Sequence, residues 1–335
     1  MKKFLTLLLV IVTATFLFTG CDSTSMSYKA QYWHENIAVT DYHPFSEICE
    51  YDVKIAKSKP SNSTEVLNEL VSMEISSGKY VTTLKMSTLE NGKPCYIYTT
   101  KLLIEGKYVF KNAETPFKND VETNTVFKTI VDDFMPISSS KKSNSTTTVI
   151  ATNDSFNVYD FNYEYNINYK EKNAETKYKL NSNVVNNESG KVEPIEKNTT
   201  FKNYADGPYV DNELLLLLPR AYDYSVAFSR SFNTIDVVTQ KSHKMAYYGM
   251  TSDGKNADIK KFNIKYKLNG VEISDEALSA AKVNVKIDDT FVGFPIEAYY
   301  AVDHTTHRHR MVKSYVALND MMGYLEYSLV NVIQS

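Results

Sequence analysis

The chain has 335 residues, 43% of them hydrophobic, which is ample for a buried core in one large domain or two ordinary ones. Its 37 basic and 40 acidic side chains leave a net charge of -3, which excludes a global basic field for nucleic acid and an acidic solvating tail. Tyr (25) and Phe (16) are abundant, Trp33 is the single tryptophan and Gly is scarce at 11, a balance suited to strands with half-wet faces.

The first element in the chain is an export signal. Lys2 and Lys3 precede a charge-free run over 4–18, too short to span a bilayer comfortably. Phe18-Thr19-Gly20-Cys21 follows and resembles the lipobox of bacterial lipoproteins. The resemblance covers about the first 21 positions and departs from the usual pattern only at Phe18, where Leu is common. It implies cleavage after residue 20 and a diacylglycerol on the Cys21 thiol, with fatty acyl chains such as palmitate holding the protein to an extracytoplasmic membrane face. Residues 21–33 read as a polar tether, and 34–335 as one large β-rich extracytoplasmic domain.

Within that domain period two dominates. Cys49, Tyr51, Val53 and Ile55 alternate with charged residues. Gly78-Lys79, Gly92-Lys93 and Gly106-Lys107 recur every 14 residues and read as turns of an antiparallel meander. A strand is expected over 125–131, and an exposed Ser/Lys/Asn/Thr connection over 138–148. Tyr159, Phe161, Tyr163, Tyr165, Ile167 and Tyr169 then share one face of a strand. A long loop is expected at 186–198. Asp211 or Asn212 would cap a short helix running to Pro219. Further strands are expected at 225–232, 235–240 and 262–268, then an Asn269-Gly270 turn and a helical turn at 274–278. The C-terminal strands fall at 283–287, 291–302, 311–318 and 324–332. The fold class is all-β, or β-dominated α+β: a large twisted antiparallel sheet, able to curve into an open half-barrel, with two or three short helices.

Four groups of residues carry chemistry. Cys21 is the lipidation site. Cys49 and Cys95 are either a disulfide, at home in an exported protein, or two separate buried thiols. The aromatics Tyr159, Phe161, Tyr163, Tyr165 and Tyr169 either fill the core or line a groove for an acyl chain or polysaccharide. His304, His307 and His309, with Asp303, have the residue types of a zinc, copper or nickel site. The alternative is an exposed hairpin tip where Arg308 and Arg310 repel a cation. His43 and His243 read as surface or turn residues. No nucleophile elbow, phosphate loop, dinucleotide fingerprint, Cys-x-x-Cys or helical zinc-protease motif occurs, so no catalytic residue and no cofactor are assigned.

The long consecutive strands, the aromatic alternation, and Phe294-Pro295-Ile296-Glu297-Ala298-Tyr299 followed by Gly323-Tyr324-Leu325-Glu326-Tyr327 are similar to exported lipoproteins of the lipoprotein-carrier type. That resemblance implies a curved sheet holding an apolar ligand. The leading functional expectation is a non-enzymatic, membrane-anchored envelope protein that binds an apolar or amphipathic ligand, an envelope polymer or a protein. An envelope hydrolase with scattered catalytic groups and a purely structural lipoprotein are the alternatives. A cavity lined by Tyr163 would favour binding, converging carboxylates with shifted pKa an enzyme, and a filled sheet an interaction role.

Overall fold

The computed structural model describes residues 28–29, 33, 45–56, 71–110, 114–151, 156–185, 192–286, 296–303, 306–318 and 323–335. Residues 1–20, read from sequence as an export signal, Cys21 and His43 lie outside them. Fifteen strands form one large sheet. They are β1 (Ser46–Ala56), β2 (Val71–Thr88), β3 (Pro94–Phe110), β4 (Glu114–Lys128), β5 (Pro136–Ala151), β6 (Phe156–Tyr169), β7 (Asn173–Val185) and β8 (Val192–Tyr204). The second half of the chain adds β9 (Phe228–Asp236), β10 (Lys241–Gly249), β11 (Ile259–Leu268), β12 (Val271–Lys286), β13 (Ile296–Ala301), β14 (Met311–Ala317) and β15 (Tyr324–Gln334). The order is β8-β7-β6-β5-β4-β3-β2-β1-β15-β14-β13-β12-β10-β9, with β11 on β12 and β15. Neighbours in sequence are mostly neighbours in space, as short antiparallel connections require. The first and last strands meet at the centre of the path, where β1 pairs with β15.

The strands of the β2–β8 wall run to 18 residues because two glycines expected at turns lie inside strands instead. A Cβ on Gly78 would stand 2.3 Å from the Val53 carbonyl oxygen, and one on Gly106 would stand 2.0 Å from the Glu74 oxygen and 2.9 Å from the Phe117 ring. Glycine here permits close backbone approach beside the register shift at Ile75–Ser77. Only Gly92, at φ 81, makes the expected turn between β2 and β3.

Other local expectations are corrected by the structure. The 138–148 segment is the body of β5, and residues 192–198 belong to β8. Ser274 and Asp275 pair with β11, which makes 274–278 part of β12. The 241–249 strand was not anticipated and pairs residue for residue with β9. His243 is buried on it. Among the described residues the helices are 3-10 turns at Ile130–Asp132, Asn212–Leu214 and Leu218–Ala221.

The sheet curves around the segment 209–224. Leu214, Leu218, Ala221 and Tyr222 are fully buried against inner-face residues such as Leu84, Tyr98, Phe127 and Tyr299. Tyr28 and Trp33, read as tether, belong to this core: Trp33 lies 4.5 Å from Phe134 and 5.7 Å from Tyr96, centroid to centroid. The core therefore includes residues as early in the chain as Tyr28. A second, smaller core joins Tyr165, Ile167, Tyr169 and Tyr178 of the wall to Tyr209, Ile235 and Val237. Asn203 of β8 donates its amide to the Gln240 carbonyl at 3.1 Å, bringing the two ends of the sheet path together in a barrel-like arrangement.

Candidate functional site

The inner face of the β2–β5 wall is unusual for a core because it is rich in hydroxyls. Thr82, Thr100, Thr123, Thr125, Ser139, Ser143 and Ser145 are all buried. They satisfy one another across strands, Thr100 with Thr123 at 2.7 Å and Thr125 with Ser139 at 3.2 Å. This explains why β5 looks like a loop in composition yet folds as a strand: its inward side chains meet polar partners.

Those partners include two carboxylates from the first 3-10 turn of the segment 209–224. Asp211, fully buried, accepts from the Glu213 N–H at 2.9 Å, from Thr125 Oγ1 at 3.4 Å and from Tyr169 Oη at 2.7 Å. Glu213 Oε1 accepts from Lys141 Nζ at 3.0 Å and Tyr165 Oη at 3.1 Å. Burial, assisted by the charge of Glu213, pushes the Asp211 carboxyl up to about 6. Burial opposes the charge of Lys141, but Glu213 and Tyr163 outweigh it and hold the ammonium above its ordinary range.

The arrangement has the carboxylate convergence of an acid-base site but not the access. Both Asp211 oxygens are committed to protein donors, and one of them caps the turn. Asp211, Glu213 and Lys141 pin the inner segment to the wall. Because the folded pKa of Asp211 stands above its unfolded value near 4, its protonation stabilises the fold fully below pH ~4, and that contribution is lost as pH rises through about 6. Asp211→Asn keeps a capping oxygen and offers an amide to Tyr169. It should flatten the stability profile between pH 4 and 7 and raise stability at pH 7 by about 1–2 kcal/mol. Urea midpoints at both pH values read this directly; an unchanged slope would mean that another group titrates.

The aromatic stripe borders the same site. Tyr165, Ile167 and Tyr169 are buried, while Glu164, Asn166 and Asn168 are exposed. Tyr163 is half-buried, its ring 6.5 Å from Tyr165 and 6.4 Å from Tyr178. The side chains of Tyr159 and Phe161 lie outside the described residues.

A second buried cluster lies under β1. Glu47 accepts from Arg220 Nη1 at 2.5 Å, from Arg310 Nε at 2.8 Å and from Gln334 Nε2 at 3.1 Å. Beside it an enclosed space of about 10 Å³ is bounded by Glu47, Cys49, Tyr51 and Arg220, the room of roughly one water molecule. Burial pushes the Cys49 thiol up to about 12, which makes it a poor nucleophile. Cys49 and Cys95 are both free and buried. Cys49 faces inward with Glu47 and Tyr51, opposite Thr82, whereas Cys95 precedes inward-facing Tyr96 and so points to the other face. Opposite faces of one sheet cannot be bridged without moving backbone, so the structure shows two separate thiols.

The histidines read as a hairpin tip or metal set are buried and held apart. His309 turns its Nδ1 to the Arg220 carbonyl at 3.2 Å and its Nε2 to the Val302 carbonyl at 2.9 Å, and stacks on Tyr224 at 4.4 Å. His307 Nδ1 meets Tyr266 Oη at 2.9 Å, and burial lowers its pKa. His304 lies outside the described residues. Among the described residues no three His, Cys, Asp or Glu side chains converge on a metal position.

Open grooves occur on the outer face of the wall. One of about 290 Å³ crosses β4, β5 and β6, with Glu122, Asn124, Ser140, Lys142, Glu164, Tyr165 and Asn166 among its lining residues. A neighbouring groove of about 140 Å³ continues past Asn144, Asn162, Tyr163, Lys179 and Asn181. Lys101 binds Glu122 at 2.6 Å and holds its carboxyl below the ordinary range. Of the residues bordering these grooves, Tyr163 and Tyr165 were singled out from sequence, and the outward polar ones were not. The outward half of an alternating strand looks like any solvated face until neighbouring strands align it.

No family model and no curated protein matches the chain. Among solved structures it is similar to the crystal structure of a beta-barrel-like protein of the domain of unknown function DUF1849 from Brucella abortus. The two share 9% identity at a TM-score of 0.44, over 86% of this chain and 96% of the other.

Proposed function

We propose that this chain is a lipid-anchored, non-enzymatic binding protein of the bacterial cell envelope. Its ligand, a polar glycan polymer, docks on the outer face of the β4–β7 wall. The supporting observation is the outer groove of about 290 Å³ and its polar lining. An apolar ligand held inside, as carrier-type lipoproteins would suggest, finds the described interior occupied by the segment 209–224. The groove lining is amide, hydroxyl, ammonium and carboxylate, the groups that hydrogen-bond sugar hydroxyls. Tyr165 and Tyr163 border the two grooves, and neither Trp nor Arg lines either of them. Hydrolysis of a glycan needs a carboxylic acid kept protonated, and Glu122 is shifted the opposite way by Lys101.

The test uses the full membrane-extracted chain with soluble fragments of its host's envelope glycans. A binder of the native state raises stability by about 2.7 kcal/mol at a hundred times its Kd. Lys142→Ala and Asn166→Ala should weaken that shift severalfold while leaving the free protein's melting temperature unchanged. No shift with any fragment, or a shift indifferent to both substitutions, would overturn the groove. Fragment cleavage abolished by a single carboxylate substitution would overturn the non-enzymatic reading.

A further inference from the structure

We infer that the turn between β4 and β5 rests against the bilayer that holds the lipid anchor, with Val131 in its interfacial layer. The inference deepens the lipoprotein reading and rests on acylation of Cys21. From Cys21 to Tyr28 there are seven peptide units, which reach at most about 25 Å when extended. Tyr28 is not free to wander from that leash. Its ring lies 4.8 Å from Phe134, 5.1 Å from Tyr222 and 4.1 Å below the Arg230 guanidinium. The next residue donates from its backbone, Lys29 N to Ala221 O, at 2.7 Å.

Phe134 and Asp133, which pairs with Arg230, both belong to the β4–β5 turn. The anchored end of the chain is therefore docked on that turn. Its backbone is specialised. Asp133 and Phe134 adopt φ of 60° and 55°, a left-handed conformation that a bulky residue rarely takes. The twist turns Phe134 under Tyr28 and leaves Val131, three residues earlier, 87% exposed. That is the highest exposure of any large hydrophobic side chain among the described residues. Two more exposed apolar side chains sit at the same strand ends of this wall. Tyr204 ends β8, and Val238 lies in the β9–β10 turn that Asn203 ties to β8. Apolar tips on turns held within a short leash of a lipid suit shallow insertion at the acyl-headgroup boundary. The opposite ends of the wall strands, around Glu114, then point away from the membrane.

The experiment places an environment-sensitive fluorophore on single introduced thiols in the acylated full chain, reconstituted in phosphatidylcholine vesicles. Val131→Cys and, with Val131 intact, Asp132→Cys probe the turn; Glu114→Cys probes the far end. The native Cys49 and Cys95 are buried. Labels at 131 and 132 should shift to the blue, resist aqueous iodide severalfold better than the label at 114, and be quenched by lipid-borne nitroxide. Equal iodide access at all three positions would overturn the docking. Protection at all three would overturn it in favour of a barrel lying on its side. Flotation of the same samples, with Cys21→Ser as control, separates the two readings. A wild-type chain that floats but leaves residue 131 in water keeps its anchor and loses this orientation. A chain that does not float loses both.

Discussion

Glu47→Gln should destabilise the protein by about 3–5 kcal/mol, because it leaves two buried guanidiniums facing an uncharged amide. Glu47 is 2% exposed, Arg220 5% and Arg310 1%, so bulk solvent does not screen the two guanidiniums once the carboxylate is gone. Each oxygen has a separate guanidinium, Oε1 with Arg220 and Oε2 with Arg310. A neutral amide at that place would also turn an N–H toward one of those donors. The reciprocal pull of Glu47 outweighs the burial cost on Arg220, whose pKa stands above its ordinary value. The partners lie 173, 263 and 287 residues away in sequence for Arg220, Arg310 and Gln334. The cluster thus ties β1 to the inner segment, to the start of β14 and to the end of β15. Gln334→Ala, which removes only a neutral donor, should cost about 0.5–1.5 kcal/mol. Guanidinium chloride midpoints compare the two. A Glu47 variant as stable as the Gln334 variant would refute the view that charge pairing holds this junction.

Such a cluster shows how far the sequence could be read. The β-rich fold was legible because alternation is local: Cys49, Tyr51 and Val53 face inward as their period predicts, and so do Tyr165, Ile167 and Tyr169. The same period places Glu47 on the inward face with Cys49, so a charged residue in an apolar stripe was the available signal. Its partners were not legible, since nothing local connects positions so far apart in the chain. Composition misled where the core itself is polar. Ser139, Lys141, Ser143 and Ser145 read as a loop because hydroxyls usually face water, and only Thr123, Thr125, Asp211 and Glu213 across the interior explain them. Gly78 and Gly106 misled for the converse reason. A glycine followed by lysine is a turn signal in isolation, and here the glycine makes room for a neighbouring strand.

Tyr222→Ala should cost a further-reaching about 3–5 kcal/mol, because its ring joins the inner segment to the N-terminal residues. It is fully buried, stacked on Phe228 at 4.3 Å and on Tyr28 at 5.1 Å, with Tyr247 at 5.9 Å. Truncation opens a cavity where three rings meet, and the aromatic pair energies of about 0.5–1.5 kcal/mol each add to the lost burial. The damage should not stay local. Without Tyr222, Tyr28 keeps Phe134 and Arg230 among its described ring partners, and the backbone bond from Lys29 to Ala221 loses its neighbour in sequence. Trp33 reports on this step, since it is the single tryptophan and is buried on Phe134 and Tyr96. Its emission should shift to the red at denaturant concentrations well below the global midpoint in the Ala variant. In the wild type, docking and global unfolding should coincide. Tyr222→Phe retains the ring and should keep the single transition. If Tyr222→Ala lowers the midpoint but Trp33 still leaves water-free surroundings only with the whole fold, then Phe134, Arg230, Tyr96 and the Lys29–Ala221 backbone bond suffice to hold Tyr28 and Trp33. Docking of Tyr28 would then not depend on the Tyr222 ring.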